Sequence, residues 1–345
     1  MARSRRIVLD RIAPRTPAPQ PDTTDLHNAL CHPEGMWRCL LALLILTATG
    51  QADDQVQRMA ARLSEEAEAF ARVAPQLLSR ETLEQRALKP PSRFKPRFGA
   101  DAQRPPQLKW QTRKIVSEYA YSTFSGSREA LHEFRQAVQV DGRQVQKTEK
   151  ALDALAQGIT STDDERKRRM LSDFEKLGLR GAVTDLGPII LLFTRRQIEK
   201  YEFLFMGRKP FDGDQALVFS YKQIDGPDRV TVFDASHGDK AIGLRPSGEV
   251  WVTAEYVPLR ITMKVARRES DFQFRDEMTV DYAMTQHGVL APKKASHREW
   301  QGANLIAENN FVYSDFHRFG ASSDIKFEAA PIEPNAPKRK PSKPL

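Results

Sequence analysis

Between residues 246 and 319, apolar and polar residues alternate in a way that predicts a series of half-buried β-strands. In the clearest stretch, residues 271–284, the even positions are apolar except for Asp276, and the odd positions up to residue 281 are polar. A period of two residues is typical of a strand with one face in the core. Residues 258–265 alternate in the same way, and the polar residues 267–270 predict a hairpin loop between the two strands.

The same pattern predicts the rest of the fold. From residue 198 onward it indicates an antiparallel meander, because sequential strands usually pair. The eight predicted strands are residues 198–206, 216–221, 229–233, 248–254, 258–265, 271–284, 290–301 and 305–316. Upstream, the pattern predicts strands at residues 110–124 and 131–140, helices at residues 148–156 and 163–177, and a short buried helix or strand at residues 186–193.

The predicted fold class is therefore α+β: a strongly bent antiparallel β-sheet, forming an open half-barrel covered by helices, with a separate N-terminal helix. That helix is indicated over residues 53–80, where apolar residues recur at spacings of three and four. Residues 79–88 are expected to extend it as a second short helix. Residues 89–107 contain five prolines and predict a linker, so the helical region 53–88 would be separable from a half-barrel domain at residues 108–327.

The N-terminal residues 1–52 predict a disordered extension followed by a secretory signal. An apolar run over residues 39–48 follows Arg38 and ends with Gly50 and Ala52, which suit the −3 and −1 positions of a signal cleavage site. The run is about half the ~20 residues that a membrane-spanning helix needs, which favours a cleaved signal; a buried core helix is the alternative. We expect Met36 to be the true start and the mature protein to be exported to the periplasm or cell envelope.

The charge distribution argues against a nucleic-acid partner. The formal net charge is +8, but residues 89–114 alone hold eight basic residues against one acidic residue, and both termini are also basic. The remaining chain has no excess of positive charge, as a duplex-binding face would require. The basic linker is either a solvated spacer or a contact with an anionic membrane surface. Residues 328–345 predict a disordered basic tail.

Candidate chemistry is sparse. Both cysteines, Cys31 and Cys39, precede the predicted domain, so neither a disulfide framework nor a cysteine metal site is expected there. The chain lacks H-E-x-x-H, G-x-S-x-G and phosphate-binding glycine motifs. We therefore predict no enzymatic activity, no cofactor and no metal. A hydrolase that uses Asp276, Glu299 or the histidines is a third hypothesis, beside the two functions given below.

Asp276 interrupts the apolar face of its strand. A carboxylate there must be paired, lie at the edge of the sheet, line a wet cavity or be re-aimed by a β-bulge. The apolar faces themselves are the candidate binding surface. The predicted cavity lining consists of Trp251, Leu259, Ile261, Met263, Phe272, Phe274, Asp276, Met278, Val280 and Tyr282. The alternative is a filled core, covered by the helices of residues 148–193.

Several of these strands resemble those of bacterial outer-membrane lipoprotein-sorting-like proteins. The matching stretches are GEVWVT at residues 248–253, VPLRI at 257–261, MTVDY at 278–282 and YSDFHRF at 313–319. The resemblance covers residues 201–327. It implies a half-barrel whose open side is covered by helices. It also implies that the protein shelters the acyl chains of lipoproteins and is not an enzyme. The long N-terminal helix, the proline-rich basic linker and the basic tail depart from that pattern.

The expected function is therefore that of an exported, non-enzymatic protein that binds a hydrophobic ligand at the cell envelope. The ligand would be a lipid, an acyl chain or the acylated end of a lipoprotein. The alternative is a structural or interaction module of the envelope, with a filled core and no small ligand.

Overall fold

The computed structural model of the chain describes residues 6–9, 36–89, 108–234, 240–269 and 272–318. The strands are β1 Arg6–Leu9, β2 Leu77–Leu88, β3 Trp110–Phe124, β4 Ser127–Val140, β5 Arg143–Gln144, β6 Tyr201–Phe211, β7 Asp214–Gln223, β8 Val230–Asp234, β9 Lys240–Leu244, β10 Ser247–Val252, β11 Pro258–Glu269, β12 Phe272–Met284, β13 Leu290–Gln301 and β14 Asn304–Arg318. The helices are α1 Met36–Val73, α2 Thr148–Thr160 and α3 Asp164–Leu177, with short 3-10 helices at Ala74–Gln76, Gly187–Phe193 and Ile198–Lys200.

Eleven of these strands form one antiparallel sheet. Its order is β5-β4-β3-β2-β14-β13-β12-β11-β10-β7-β6. The sheet is curved but not closed, because β5 and β6 are its two edges. The predicted α+β half-barrel is confirmed. The two strands that the alternation defined best, β11 and β12, pair along their length from Arg260↔Asp281 to Glu269↔Phe272.

The hairpin between β11 and β12 is tighter than predicted. Strand β11 continues to Glu269, so Arg267 lies in the strand and is buried, not in a loop. Strand β12 begins at Phe272, whose side chain is 55% exposed because it lies at the tip of this hairpin. From Phe274 to Tyr282 the even positions are buried, as the period of two predicts.

The predicted meander is interrupted once. Strand β7 pairs with β10 instead of β8, and β8 and β9 form a separate three-stranded sheet with β1. Strands β1 and β9 were not predicted. The expectation of no regular structure over residues 1–35 is therefore wrong at Arg6–Leu9, whereas residues 319–345, with the predicted tail, lie outside the described residues.

The second short helix expected at residues 79–88 is wrong. Leu77–Leu88 is strand β2, which lies between β14 and β3 in the middle of the sheet. Alternate residues of β2 are buried, but Glu81 and Gln85 are among them, so the strand lacks an alternation of apolar and polar residues. The apolar spacing of three and four residues that predicts the helix continues to Leu77. The change from a helical period to the strand period of two was therefore not visible in the sequence.

The proline-rich segment connects two neighbouring strands instead of two domains. Strands β2 and β3 pair directly up to Leu88↔Trp110, and the amide of Lys89 donates to the carbonyl of Lys109 at 2.7 Å. Residues 90–107, predicted as a linker, lie outside the described residues. The strands on either side of this segment are neighbours in one sheet, so the N-terminal helix and the sheet are not two domains.

Helix α1 is part of the core of the half-barrel, although we expected a separable helix. Met59, Leu63 and Phe70 of α1 are completely buried in one cluster with the inner face of the sheet and with the 3-10 helix Gly187–Phe193. The ring of Phe70 packs edge-on against Tyr121 of β3, with 5.4 Å between the ring centroids. We call the face of the sheet in contact with α1 the inner face. Within the described residues, no helix is long and apolar enough to span a bilayer.

Helices α2 and α3 form where the sequence predicts them, but α2 does not cover the inner face. Asp163 caps α3 by accepting from the amide of Glu165 at 2.9 Å. Leu155 of α2 packs with Ala120 of β3 in a second, smaller cluster, on the face opposite to Tyr121. The inner face is therefore covered by α1 and by the 3-10 helix Gly187–Phe193, and we refer to these two elements as the cover.

The packing of α1 predicts the effect of truncating its buried face. We expect Leu63→Ala to lower the free energy of unfolding by about 2–5 kcal/mol, because a fully buried leucine leaves a cavity. Arg58→Ala in the same helix, whose side chain is 64% exposed, is expected to change it by less than about 0.5 kcal/mol. Urea unfolding measures both, and equal effects would contradict the placement of α1 in the core.

Candidate functional site

The inner face of the sheet carries an apolar region on β10–β12. Ile261 and Met263 of β11 and Met278, Val280 and Tyr282 of β12 are all 5% exposed or less. These five belong to the cluster that contains the buried side of the cover. The structure thus brings together five of the ten residues predicted to line a cavity, and they contact side chains of the same chain.

Three of the predicted lining residues lie elsewhere. Trp251 lies on the outer face, because Val250 and Val252 take the buried positions of β10. The pairing of β10 with β11 shifts between Trp251 and Val252, which leaves Leu259 only half-buried. Phe272 lies at the exposed hairpin tip. Phe274 is buried, but its ring packs beneath the guanidinium of Arg267, with 5.0 Å from the Cζ atom to the ring centroid.

Asp276 belongs to a buried charged group that we call the rim cluster, which consists of Arg180, Arg267, Asp276, His297 and Glu299. Nη1 of Arg267 donates to Asp276 at 2.5 Å, and Nη2 donates to Glu299 at 3.1 Å. Nη2 of Arg180 donates to the same Glu299 oxygen at 2.6 Å. Asp276 is therefore paired, and it does not lie at a bulge, because the register of β12 shifts only after Asp281.

His297 completes the rim cluster. Its Nε2 lies 2.9 Å from Asp276, and its Nδ1 lies 3.2 Å from the amide nitrogen of Asn309. If Nδ1 accepts from Asn309, the ring hydrogen is on Nε2 and is donated to Asp276. Both nitrogens are thus engaged within the sheet. Asp276 and Glu299 are thus each paired with an arginine inside the sheet.

The chain from residue 178 to 182 passes over the rim cluster and is fixed to the sheet. The amide of Leu179 donates to Gln85 at 2.7 Å, and the side chain of Asn309 donates to the carbonyl of Arg180 at 3.0 Å. Gly181 has a φ of +77°, and a Cβ there would lie 2.6 Å from the Asn309 amide nitrogen. Only glycine therefore suits this close approach.

A second buried charged group, the central cluster, consists of Glu81, Tyr119, His132, Glu133 and Arg135 on β2–β4 and of Asp185, which lies just before the 3-10 helix Gly187–Phe193. Arg135 donates to Glu81 at 2.8 Å and to Glu133 at 2.5 Å. Its guanidinium lies 5.3 Å from the ring centroid of Tyr119 and 5.6 Å from that of Phe311. The charge is thus compensated by two carboxylates and surrounded by aromatic rings.

Glu133 connects the central cluster to the cover. One of its carboxylate oxygens accepts from the hydroxyl of Tyr119 and from the amide of Gly187, each at 2.6 Å. The carbonyl of Gly187 accepts from the hydroxyl of Tyr282 at 3.0 Å. The first residue of the 3-10 helix is therefore held by both of its backbone polar groups.

Asp185 holds the chain just before this helix. Its carboxylate accepts from the amide of Glu133 at 3.0 Å and lies 2.9 Å from Nδ1 of His132.

Burial raises the pKa of the Glu133 carboxyl from 4.5 to about 7, although Arg135 acts in the opposite direction. Burial also raises the pKa of Tyr119 well above 10, so its hydroxyl keeps the proton that it donates.

The sequence analysis singled out Asp276, Glu299 and the histidines, which include His132 and His297, but it missed the other members of both clusters and did not bring any of them together. In β4 the inward positions run Leu131, Glu133, Arg135, Ala137, so charged residues replace apolar ones without a change of period. Opposite charges on one face of neighbouring predicted strands are the signal that points to such clusters. Among the residues that the structure describes, no group of three or more histidines and carboxylates is suited to a metal ion.

Comparison with known proteins finds similarity among solved structures. No family model matches the sequence, and no curated protein matches it. A DUF1329 family protein from Desulfovibrio piger is 10% identical, with 78% of this chain and 95% of that chain covered and a TM-score of 0.32. A domain provisionally described as an outer membrane lipoprotein-sorting protein, from Vibrio parahaemolyticus, is 11% identical, with 76% and 93% covered and a TM-score of 0.32.

A LolA superfamily protein from Nitrosomonas europaea is 8% identical, with 78% of this chain and 97% of that chain covered and a TM-score of 0.27. The lipoprotein-sorting-like proteins that the strand sequences resemble are thus represented among these structures. At these identities and TM-scores the similarity is limited to the general arrangement of the fold.

The rim cluster predicts opposite outcomes for two adjacent arginines. We expect Arg267→Ala to lower the free energy of unfolding by about 3–5 kcal/mol, because it leaves the buried carboxylates of Asp276 and Glu299 without their shared partner. Arg268→Ala, at the exposed position next to it, is expected to change it by less than about 0.5 kcal/mol. Comparable losses in urea unfolding would show that the buried ion pairs do not hold the inner face together.

The central cluster predicts a pH dependence of stability. The folded-state pKa of Glu133, about 7, lies above the ordinary value of 4.5, so its protonation favours the folded state. This contribution is complete below pH 4.5 and is lost as the pH rises through about 7. The stability of the wild type relative to Glu133→Gln should therefore fall over that range.

Urea unfolding of both proteins at several pH values measures this difference. Glu84→Gln, at a side chain that is 61% exposed, controls for the loss of a surface carboxylate. A difference between the wild type and Glu133→Gln that stays constant with pH would show that Glu133 does not titrate in this range.

Proposed function

We propose that this protein is an exported carrier that holds a lipid or an acyl chain, free or attached to a lipoprotein, between the apolar region of its sheet and the cover. The observation that most supports the carrier proposal is that the surface of the sheet beneath the cover is apolar. Ile261, Met263, Met278 and Val280 form a continuous apolar area on β11 and β12, and they belong to one buried cluster with side chains of the cover. A surface of this kind accepts a hydrocarbon chain without any polar anchor.

The cover can separate from the sheet without breaking the strand ladder. Among the described residues, no hydrogen bond between backbone groups joins α1 or the 3-10 helix Gly187–Phe193 to a strand. The side chains of Glu133 and Tyr282 hydrogen-bond the backbone of Gly187, and the other contacts join side chains, such as Phe193 against Tyr221 with 4.9 Å between ring centroids. Opening therefore exposes apolar surface but leaves every strand paired.

The energies of opening and of ligand binding are similar in size. Burying an apolar side chain such as Leu63 or Ile190 is worth about 1.5–3 kcal/mol, and each buried methylene of a ligand about 0.8 kcal/mol. A chain of about twelve methylenes thus gains about 10 kcal/mol, which is comparable with the loss of four such side-chain contacts. An exchange of the cover's side chains for a ligand is then close to balanced.

The export part of the proposal rests on the sequence. The apolar run at residues 39–48 and the small residues after it are those of a secretory signal. The proposal assigns to the basic residues between positions 89 and 107 a contact with an anionic membrane surface. The proposed carrier is non-enzymatic, consistent with the engagement of Asp276 and Glu299 by arginines.

One observation favours the second candidate, an envelope scaffold with a filled core. Every residue of the apolar region on β11 and β12 is already in contact with side chains of the same chain. A scaffold would keep these contacts permanently, whereas a carrier must exchange some of them for its ligand.

Titration of the delipidated protein with a fluorescent fatty acid separates the two candidates. We expect saturable binding that is lost in Val280→Asp, which places a charge in the apolar region, but is retained in Thr279→Asp, on the other face of the same strand. Met278→Ala is expected to bind at least as well as the wild type although it is less stable, which separates loss of binding from loss of folding. Absence of saturable binding by the wild type would leave the scaffold.

A further inference from the structure

Several strand ends meet at one end of the sheet. The tip of the β11–β12 hairpin, at Glu269↔Phe272, and the turn of β13–β14, at Gln301↔Asn304, lie on the same side as the paired ends of β2 and β3, at Leu88↔Trp110. We call the exposed side chains at this end the basic rim, which consists of Lys89, Leu108, Lys109, Trp110, Arg268 and Phe272.

The basic rim exposes large apolar side chains that the fold does not need there. Leu108 is 70% exposed, Phe272 is 55% exposed and Trp110 is 41% exposed. Strands β3 and β12 are four positions apart in the sheet, so about 19 Å of sheet separates the strands of Trp110 and Phe272 at the usual spacing. These side chains are thus spread along the end of the sheet where the strands terminate, instead of forming a compact patch.

Among the described side chains, the exposed charges between them are positive. Lys89, Lys109 and Arg268 are exposed, and none of the ion pairs between described side chains includes them. Arg86 lies over the ring of Trp110, with 4.5 Å from its Cζ atom to the ring centroid. The nearby carboxylate of Glu308 lies within ion-pair distance of Arg86 and of Arg298, so it does not neutralise the lysines.

We infer that the basic rim docks this protein on the surface of an anionic lipid bilayer. Tryptophan and phenylalanine side chains partition into the boundary between head groups and acyl chains, and adjacent lysines and arginines are attracted to anionic head groups. A row of separated apolar side chains interspersed with exposed lysines and an arginine fits such a surface. This inference deepens the membrane contact of the proposed function by naming the described residues that make it, and it does not depend on ligand binding, because a protein with a filled core can dock in the same way.

Co-sedimentation with vesicles tests the rim. The full-length protein is mixed with vesicles of phosphatidylcholine alone or of phosphatidylcholine with phosphatidylglycerol. We expect binding to the anionic vesicles only, weakened by salt. The charge-reversed variant Lys109→Glu/Arg268→Glu should lower the partition coefficient about tenfold or more, and Trp110→Ser/Phe272→Ser should also lower it.

Matched controls lie elsewhere on the molecule. Leu204→Ser/Met206→Ser removes apolar side chains that are 57% and 53% exposed on the edge strand β6. Lys176→Glu reverses a charge in α3 at a side chain that is 70% exposed. Both are expected to bind vesicles as the wild type does. Equal binding by the rim variants and the wild type, equal loss in the controls, or no binding by the wild type would overturn the inference.

Fatty-acid titration of the same rim variants keeps this test separate from that of the proposed function. Rim variants that lose vesicle binding but still take up the fatty acid support two independent surfaces. Vesicle binding without fatty-acid uptake by the wild type would support the rim and contradict the carrier.

Discussion

A buried arginine needs carboxylate partners, because removing one side of a buried ion pair costs more than most single contacts contribute. Arg135 and Arg267 each contact two carboxylates inside this half-barrel. The partners come from different strands and bring the loop before the 3-10 helix with them, through Arg180 and Gly187. The positions of these charges therefore fix the register of neighbouring strands and the path of the chain across the inner face.

This path divides the inner face into two regions with different properties. Over β2–β4 and the rim cluster, the chain from residue 178 to 187 is held by charges and hydrogen bonds, which have strict geometry. Over β10–β12, apart from the hydrogen bond from Tyr282 to Gly187, the cover is held by apolar contacts, which can be exchanged for other apolar contacts at little cost. Helix α1 packs on the 3-10 helix and on the sheet, and the amide of Arg195 donates to Glu68 at 3.3 Å. Residues 178–187 are thus held to the sheet by ion pairs and hydrogen bonds, whereas α1 and the rest of the 3-10 helix are held mainly by the packing of side chains.

The sequence predicted the parts of this arrangement in which one pattern dominates. Strand β12 was predicted because its period of two runs through the strand, and Asp276 was the single exception. Strand β2 was not, because Glu81 occupies a buried position that only the distant Arg135 makes acceptable. Arg267 lay in a charged stretch typical of a loop, and the side of Trp251 depended on a local shift of register. Long-range pairing of charges, which one sequence does not display, accounts for these differences.

Hydrogen exchange of the delipidated protein, with and without a saturating fatty acid, tests most directly whether the cover separates from the sheet. The carrier account predicts that the ligand changes the exchange of amides in residues 53–73 and 187–193. It predicts no change in residues 179–182, which Gln85 and Asn309 hold to the sheet. Identical exchange with and without the fatty acid in all three segments would contradict the account, since the apolar region would then never leave its cover.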